Sequence, residues 1–280
     1  MNSNTQRRPA PRPPVRRKPK KVNKTARLLL VMIVFALIVI GIICLISFIM
    51  GYRYIKTSND SGTIKYFGTV DTSGTLKKGT LYFSDGKKGS VDGTAGTVKF
   101  ENGDSYTGGL KKLQRDGKGV YNFSNGDIYE GEFLNNEFHG KGKFTYTNGD
   151  VYEGDFKNGY MSGYGKYTYA DGSVYEGEFK ENMRNGQGKF TVSETSYYEG
   201  GFKDNAKEGT GKYVYANGDV YEGDFSKDVR TGNGTYTWAN GETYTGQFSN
   251  NDMHGYGIYT WPSGRVYEGQ FNQGKIVIEE

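Results

Sequence analysis

Carboxylates recur in pairs along this chain, and their chemistry is the first to weigh. Glu130 and Glu132, Glu153 and Asp155, Glu176 and Glu178, and Glu222 and Asp224 each stand two residues apart. Two carboxyl groups can divide the acid and nucleophile or base roles at a glycosidic bond. A catalytic pair is singular and sits in a cleft, whereas these pairs repeat. Lys143, Lys166, Lys189 and Lys212 share their parity and offer cross-strand partners. The pairs therefore read as a solvated charge ladder, with weak binding of a divalent cation or a cationic ligand as the alternative. The single cysteine, Cys44, cannot form an intrachain disulfide. No G-x-x-x-x-G-K-[ST] run occurs, and no G-x-G follows a strand to open a helix. The expectation is no catalytic, cofactor or metal residues, and no enzyme.

The elements that position these residues follow from a repeat. Tyr106, Tyr129, Tyr152, Tyr175, Tyr198, Tyr221, Tyr244 and Tyr267 are spaced 23 residues apart without an insertion. Counting each tyrosine as position 0, paired glycines follow at positions 11 and 13, as in Gly140/Gly142 and Gly163/Gly165. Large residues stand at positions 15 and 17, as in Phe144 and Tyr146, and most units close on Asn-Gly or Asp-Gly. The two histidines, His139 and His254, both fall at position 10, five units apart, too far to share a metal or a triad. They read as polar residues in the loop before the glycine pair.

Alternation in Tyr-Glu-Gly-Glu-Phe and Gly-Lys-Phe-Thr-Tyr has period two, so both runs are strands. Asn-Gly between them marks a hairpin. A three-residue loop with glycine in the left-handed position sets Phe144 opposite Tyr152 and Gly142 opposite Gly154. A two-residue loop would send the rings to opposite faces. With the first register, Tyr, Phe and the aromatics at 15 and 17 share one face with the glycines, and the rings pack over bare backbone. Two strands at about 4.8 Å each advance the array by roughly 10 Å per unit.

The Y-x-G opening, the G-x-G pair, the aromatics after it and the Asn-Gly turn resemble the MORN repeat family (membrane occupation and recognition nexus). The likeness covers Tyr106 to Phe271 and extends more weakly upstream through Tyr66, Gly68, Gly79, Leu81 and Phe83. It implies a mainly β fold, an elongated array of stacked antiparallel hairpins. It also implies roles in membrane association, assembly or protein contacts. Such repeats accompany lipid-kinase domains in some larger proteins, but no nucleotide-binding motif accompanies them in this sequence.

The candidate binding surface is the outer aromatic row: Trp238, Trp261, Tyr146, Tyr169 and Tyr215. Two arrangements fit it, an open groove for a partner chain or a sugar, or rings closed onto the glycines by sheet twist. The unit that begins at Tyr175 departs from the pattern. Val192 replaces an aromatic and Glu194-Thr195 replaces Asn-Gly. A tight turn is disfavoured there, and a bend or softer joint is expected near residues 192–197.

The N-terminal part differs from the rest. Residues 1–27 hold five of the six prolines, ten Lys and Arg, and no acid, which predicts a disordered tail. Such a tail serves either as an orientation signal against anionic lipid or as a docking site for a cytoplasmic partner. Residues 28–50 are 23 apolar or small residues without a charge. They span roughly 34 Å as a helix, enough for a bilayer core of about 30 Å. The stretch is too long for a cleaved signal, so it reads as a signal anchor in which Cys44 packs as a small apolar residue. The positive-inside bias puts the tail in the cytoplasm and the repeats outside, a layout that suits a cell envelope. From residue 57 onward 24 basic residues face 31 acidic ones, a net of −7, so nucleic acid is not expected as a partner.

The division expected is a tail (1–27), a span (28–50), a juxtamembrane linker (51–63), degenerate repeats (64–105) and seven repeats with a closing half-repeat (106–280). The function expected is a non-catalytic, membrane-anchored scaffold binding a protein or a second copy of itself. The alternative is a module that binds envelope glycans through its aromatic face.

Overall fold

A computed structural model describes residues 24–59, 62–93 and 96–278. The expected tail lies outside the described residues as far as residue 23. The chain divides into two compact units, one ending at Tyr52 and one beginning at Arg53.

The first unit contains a helix, α1 (Lys24–Ile49), which starts one turn ahead of the apolar run. Its side chains from Leu28 to Ile49 are apolar on every side, without the polar face that a helix packed on a soluble core shows. Arg27–Ile49 is long and apolar enough to cross a membrane. Cys44 lies exposed on its surface.

The second unit is one open antiparallel sheet in which each strand pairs with the next in sequence. It begins with β1 (Tyr52–Asn59), β2 (Gly62–Val70), β3 (Leu76–Tyr82), β4 (Lys88–Asp92), β5 (Thr97–Phe100), β6 (Ser105–Lys111) and β7 (Gln114–Asn122). The segment expected to be a linker therefore holds a paired strand. Then come β8 (Ile128–Leu134), β9 (Glu137–Thr145) and β10 (Val151–Lys157), and the pattern continues to β20 (Val266–Asn272) and β21 (Lys275–Ile276). The three-residue loop is present: Tyr146 N–H donates to the Asp150 carbonyl at 2.9 Å, and Gly149 has φ +96°. Tyr152 pairs with Phe144 and Gly154 with Gly142, the register read from the sequence.

The other turn of each unit has only two residues. Asn135 and Asn136 both have positive φ, 51° and 76°, as a tight hairpin of matching twist requires. Beyond it the register slips, with Gly131 opposite Gly142 but Glu132 opposite His139. Gly140 and Lys141 bulge out of this hairpin yet pair regularly with β10. His139 is thus inside β9, at a bulge, and not in a loop.

The two glycines of each G-x-G pair serve different needs. Gly140 sits at φ +59°, the left-handed conformation of the bulge, where L side chains are strained. Gly142 has ordinary φ, but a Cβ there would lie 2.6 Å from the Tyr129 ring. Gly131 is as constrained, with the Tyr129 hydroxyl 2.5 Å from its would-be Cβ. The ring lies flat on two bare backbones. Its hydroxyl donates to the Glu132 carbonyl, at the edge of the bulge, at 2.8 Å.

This geometry recurs at Tyr66, Tyr106, Tyr152, Tyr175, Tyr198, Tyr221 and Tyr244, each with 0% exposure and its hydroxyl on the carbonyl three residues on. The phenylalanine at position 4 bridges two units. Phe156 stands edge-on to Tyr129 at 5.0 Å and to Tyr152 at 5.1 Å. Phe179, Phe202, Phe225, Phe248 and Phe271 repeat the contact. A single-layer sheet thereby seals its own core, because each ring is covered by a ring of its neighbour.

Two outcomes test this packing. Gly142→Ala drives a methyl into a ring that cannot move aside, and should destabilise by about 1–3 kcal/mol in denaturant melts of the detergent-solubilised chain. Burial pushes the Tyr106, Tyr198 and Tyr221 hydroxyls up to about 12. Folding thus favours their neutral form. Their contribution is complete below pH about 10, the unfolded value, and is lost as pH rises through about 12. Tyrosinate absorbance should appear together with unfolding in that window.

Candidate functional site

The five candidate rings occupy one edge of the core face, at the mouths of the three-residue turns. Each ring residue's N–H closes its turn, as Trp238 does on Glu242 and Trp261 on Arg265, both at 2.9 Å. Tyr146, Tyr169, Tyr215, Trp238 and Trp261 are all half-buried. They are neither a free groove nor a closed core. Each leans on the ring at position 15, with centroids 4.4 Å apart for Phe144 and Tyr146 and 4.7 Å for Tyr259 and Trp261. The row runs from Phe83 through Phe100, Tyr121, Phe123, Phe144, Tyr146, Tyr167 and Tyr169 to Phe190. At position 17 after Phe190 stands Val192, and the row resumes from Tyr213 to Trp261.

At several turns an acidic residue just after the turn ties it to the next. Asp150 accepts from the Tyr167 hydroxyl and from the Ala170 N–H, both at 2.8 Å. Asp104 does the same with Tyr121 and Ser124, and Asp219 with Tyr236 and Ala239. Burial pushes these three carboxyls up, but the converging donors outweigh it and hold them below the usual carboxylate range. The two-residue turns are stitched as well. Asn136, Asn205 and Asn251 each accept, through the side-chain oxygen, the N–H of a residue 21 positions earlier.

Those earlier residues are Arg115, Arg184 and Arg230, at position 9, and the sequence reading did not single them out. Each guanidinium donates to the carbonyl of the same asparagine, at 2.6, 2.7 and 2.7 Å, while lying over core rings. Arg230 is 4.9 Å from the Tyr236 centroid and Arg184 is 5.2 Å from Phe190. Their only sequence signal was parity. Position 9 holds either a cation or an apolar residue such as Phe138 and Met161, which is unusual for a solvent-facing site.

The opposite face carries the charge ladder. Lys143 pairs with Glu153 at 2.9 Å, Lys166 with Glu176 at 2.9 Å, and Lys141 with Asp155 at 2.7 Å. These pairs are largely exposed, so each contributes little. Together with Lys212 on Glu222, they take up one or both acids of three of the recurring pairs, Glu153/Asp155, Glu176/Glu178 and Glu222/Asp224.

The turn at Glu194-Thr195 differs from the expectation. It is tighter than its equivalents, a two-residue loop closed by Ser193 and Ser196, and Val192 bulges to keep the register. Ser173 and Ser196 stand where other units carry the tying aspartate, and Ser173 turns back to Asp171 at 2.7 Å. The ring row and the turn ties thus both change at one unit. Amide hydrogen exchange should be faster at residues 193–196 than at the equivalent turns around Asn148 and Asn240. Val192→Tyr should narrow the difference.

No curated protein sequence matches the chain. Among solved structures, the TCP domain of SAS-4 (dCPAP) from Drosophila melanogaster, solved with a proline-rich motif of Ana2 (dSTIL), is 18% identical. That match covers 56% of this chain and 86% of that one, with a TM-score of 0.36. The TCP10 domain of Danio rerio CPAP is 12% identical over 77% of this chain and 99% of that one, with a TM-score of 0.34. A streptogramin B lyase is 16% identical over 80% and 84%, with a TM-score of 0.15. Likenesses this slight carry no argument about function. The MORN repeat profile, in contrast, matches residues 106–128, 129–151, 152–174, 175–191, 198–220, 221–243, 244–264 and 267–277. With more than half of its length matched in the phase of the buried tyrosines, the chain belongs to the MORN-repeat family.

Proposed function

We propose that the chain is a membrane-anchored, non-catalytic scaffold whose repeats hold a protein partner, or a second copy, outside the cytoplasmic membrane. MORN repeats generally form non-catalytic modules for protein or membrane contacts. The observation that carries the reading is the ring row at the three-residue turns. The centre of the core face is sealed, whereas the rings at position 17 stay half-exposed on a backbone tied from unit to unit. Aromatic rings held in this way serve as anchors in protein interfaces. The net −7 from residue 57 onward argues against anionic headgroups as the ligand of the repeats. The apolar helix supplies attachment instead, and its basic N-terminal flank favours a cytoplasmic tail.

The second reading is an envelope glycan as ligand. It is favoured by the run Tyr236, Trp238, Tyr259 and Trp261, whose neighbouring ring centroids lie 4.6, 5.3 and 4.7 Å apart. Crosslinking in cells, followed by identification of what is captured, separates the two. Trp238→Ala with Trp261→Ala should reduce capture of a protein at least tenfold on the scaffold reading. On the glycan reading the same pair reduces retention on purified wall material. Lys157→Cys, on an exposed strand end, should react with a membrane-impermeant maleimide in intact cells. Reaction only after permeabilisation would invert the topology.

A further inference from the structure

The core face changes at the shortened unit between Tyr66 and Tyr106. Counting 23 residues on from Tyr66 gives Gly89 in the tyrosine place, and Gly93 follows in the phenylalanine place. The next unit carries Leu110 where every later one carries phenylalanine. Three ring positions of the central ladder therefore lack a ring. Tyr106, unlike Tyr129 or Tyr152, receives an edge-on phenylalanine only from the following unit, Phe133 at 5.0 Å.

At Gly89 the side chains of Val98 and Phe100 fill the place, and at Gly93 the Leu76 carbonyl does, so the place left open is the one beside Leu110. A cavity of about 260 Å³ lies beside Leu110. Buried Leu81, Val98 and Tyr106 line it together with Phe83, Phe100 and Tyr121, rings already in file with centroids 5.9 Å apart. Arg115 also lines it, with its guanidinium 4.6 Å from the Tyr121 centroid. Around these stand polar residues, among them Lys88, Glu101 and Asp104. The Asp104 carboxylate is already occupied by Tyr121, Ser124 and Asn102.

We propose that this cavity receives one aromatic side chain of a protein partner, which supplies the missing ring of the ladder. The proposal rests on the scaffold reading and names the partner's anchor chemistry. The size fits a single ring. A dry cavity of about 150 Å³ holds benzene, while sites for drug-sized ligands begin near 300 Å³. The surrounding rings can meet an incoming ring edge-on, as the repeat does with its own phenylalanines. A guanidinium at the wall favours the electron-rich face of an aromatic over an aliphatic chain.

The test uses the full chain in detergent, with N-acetyl-tryptophan amide, N-acetyl-phenylalanine amide and N-acetyl-leucine amide as probes in saturation-transfer NMR. The aromatic amides should bind in the millimolar range, at least tenfold tighter than the leucine amide. Leu110→Phe restores the residue that every later unit carries, and should abolish this binding without lowering the melting temperature. Arg115→Met installs the residue found at the same position in Met161 and Met253, and should weaken aromatic binding several-fold while leaving the leucine amide unchanged. Trp238→Ala and Trp261→Ala should have no effect. Equal binding of the leucine amide, or binding that survives both Leu110→Phe and Arg115→Met, overturns the proposal. If the aromatic amides do not bind while in-cell capture still depends on Trp238 and Trp261, this inference fails and the scaffold reading stands. If they bind in a chain that captures no protein, the scaffold reading fails, and with it the partner as source of the ring.

Discussion

The structure depends on one contact, a tyrosine ring seated on two bare backbones. A sheet one layer thick has nothing to press its apolar face against, and burying a large ring normally takes a second layer. Here the glycines at positions 2 and 13 let the ring sink until its edge touches main chain. The phenylalanine at position 4 then caps it from the side. The same tyrosine hydroxyl bonds the carbonyl at the edge of the bulge. A buried carbonyl without a partner is costly, so bulge, ring and glycines form a unit that is kept or lost together.

Because each ring is covered by the next unit, stability propagates from neighbour to neighbour, as it does in other repeat arrays. Two sets of backbone ties reinforce this. Aspartates link the three-residue turns, and asparagines with arginines link the two-residue turns. The result is a sheet whose centre is sealed and whose turn edge displays half-covered rings. Function is best sought at that edge, or where the pattern breaks, because elsewhere the core face is covered by its own rings.

The pattern breaks twice, in different ways. At Val192 the ring row loses a member and the turn tightens, yet the chain keeps its 23-residue phase because the bulge and the shorter loop compensate. At the shortened unit the phase itself changes, rings are lost from the sealed centre, and a cavity is left. The first break concerns the coupling between neighbours; the second opens the core to a guest.

Much of this was legible in the residues. The 23-residue phase, strand alternation and Asn-Gly turns determined the hairpins, their register and the face on which the rings lie, because a one-residue slip would have turned every ring to solvent. The uncharged run from Leu28 to Met50 determined an apolar helix of spanning length. The sequence also showed lysines at position 14 as cross-strand partners of the acids, and Lys143, Lys166 and Lys212 form such pairs. Only the tertiary structure decided which glycine serves the bulge and which the ring, because both look alike until φ and the neighbouring ring are known. It also moved His139 from a loop into a strand. The outer rings proved half-open rather than free or closed, since exposure depends on the ring one unit away. Arg115, Arg184 and Arg230 came to light only there, for their partners lie in turns 21 residues distant and no local pattern announces a contact made across units.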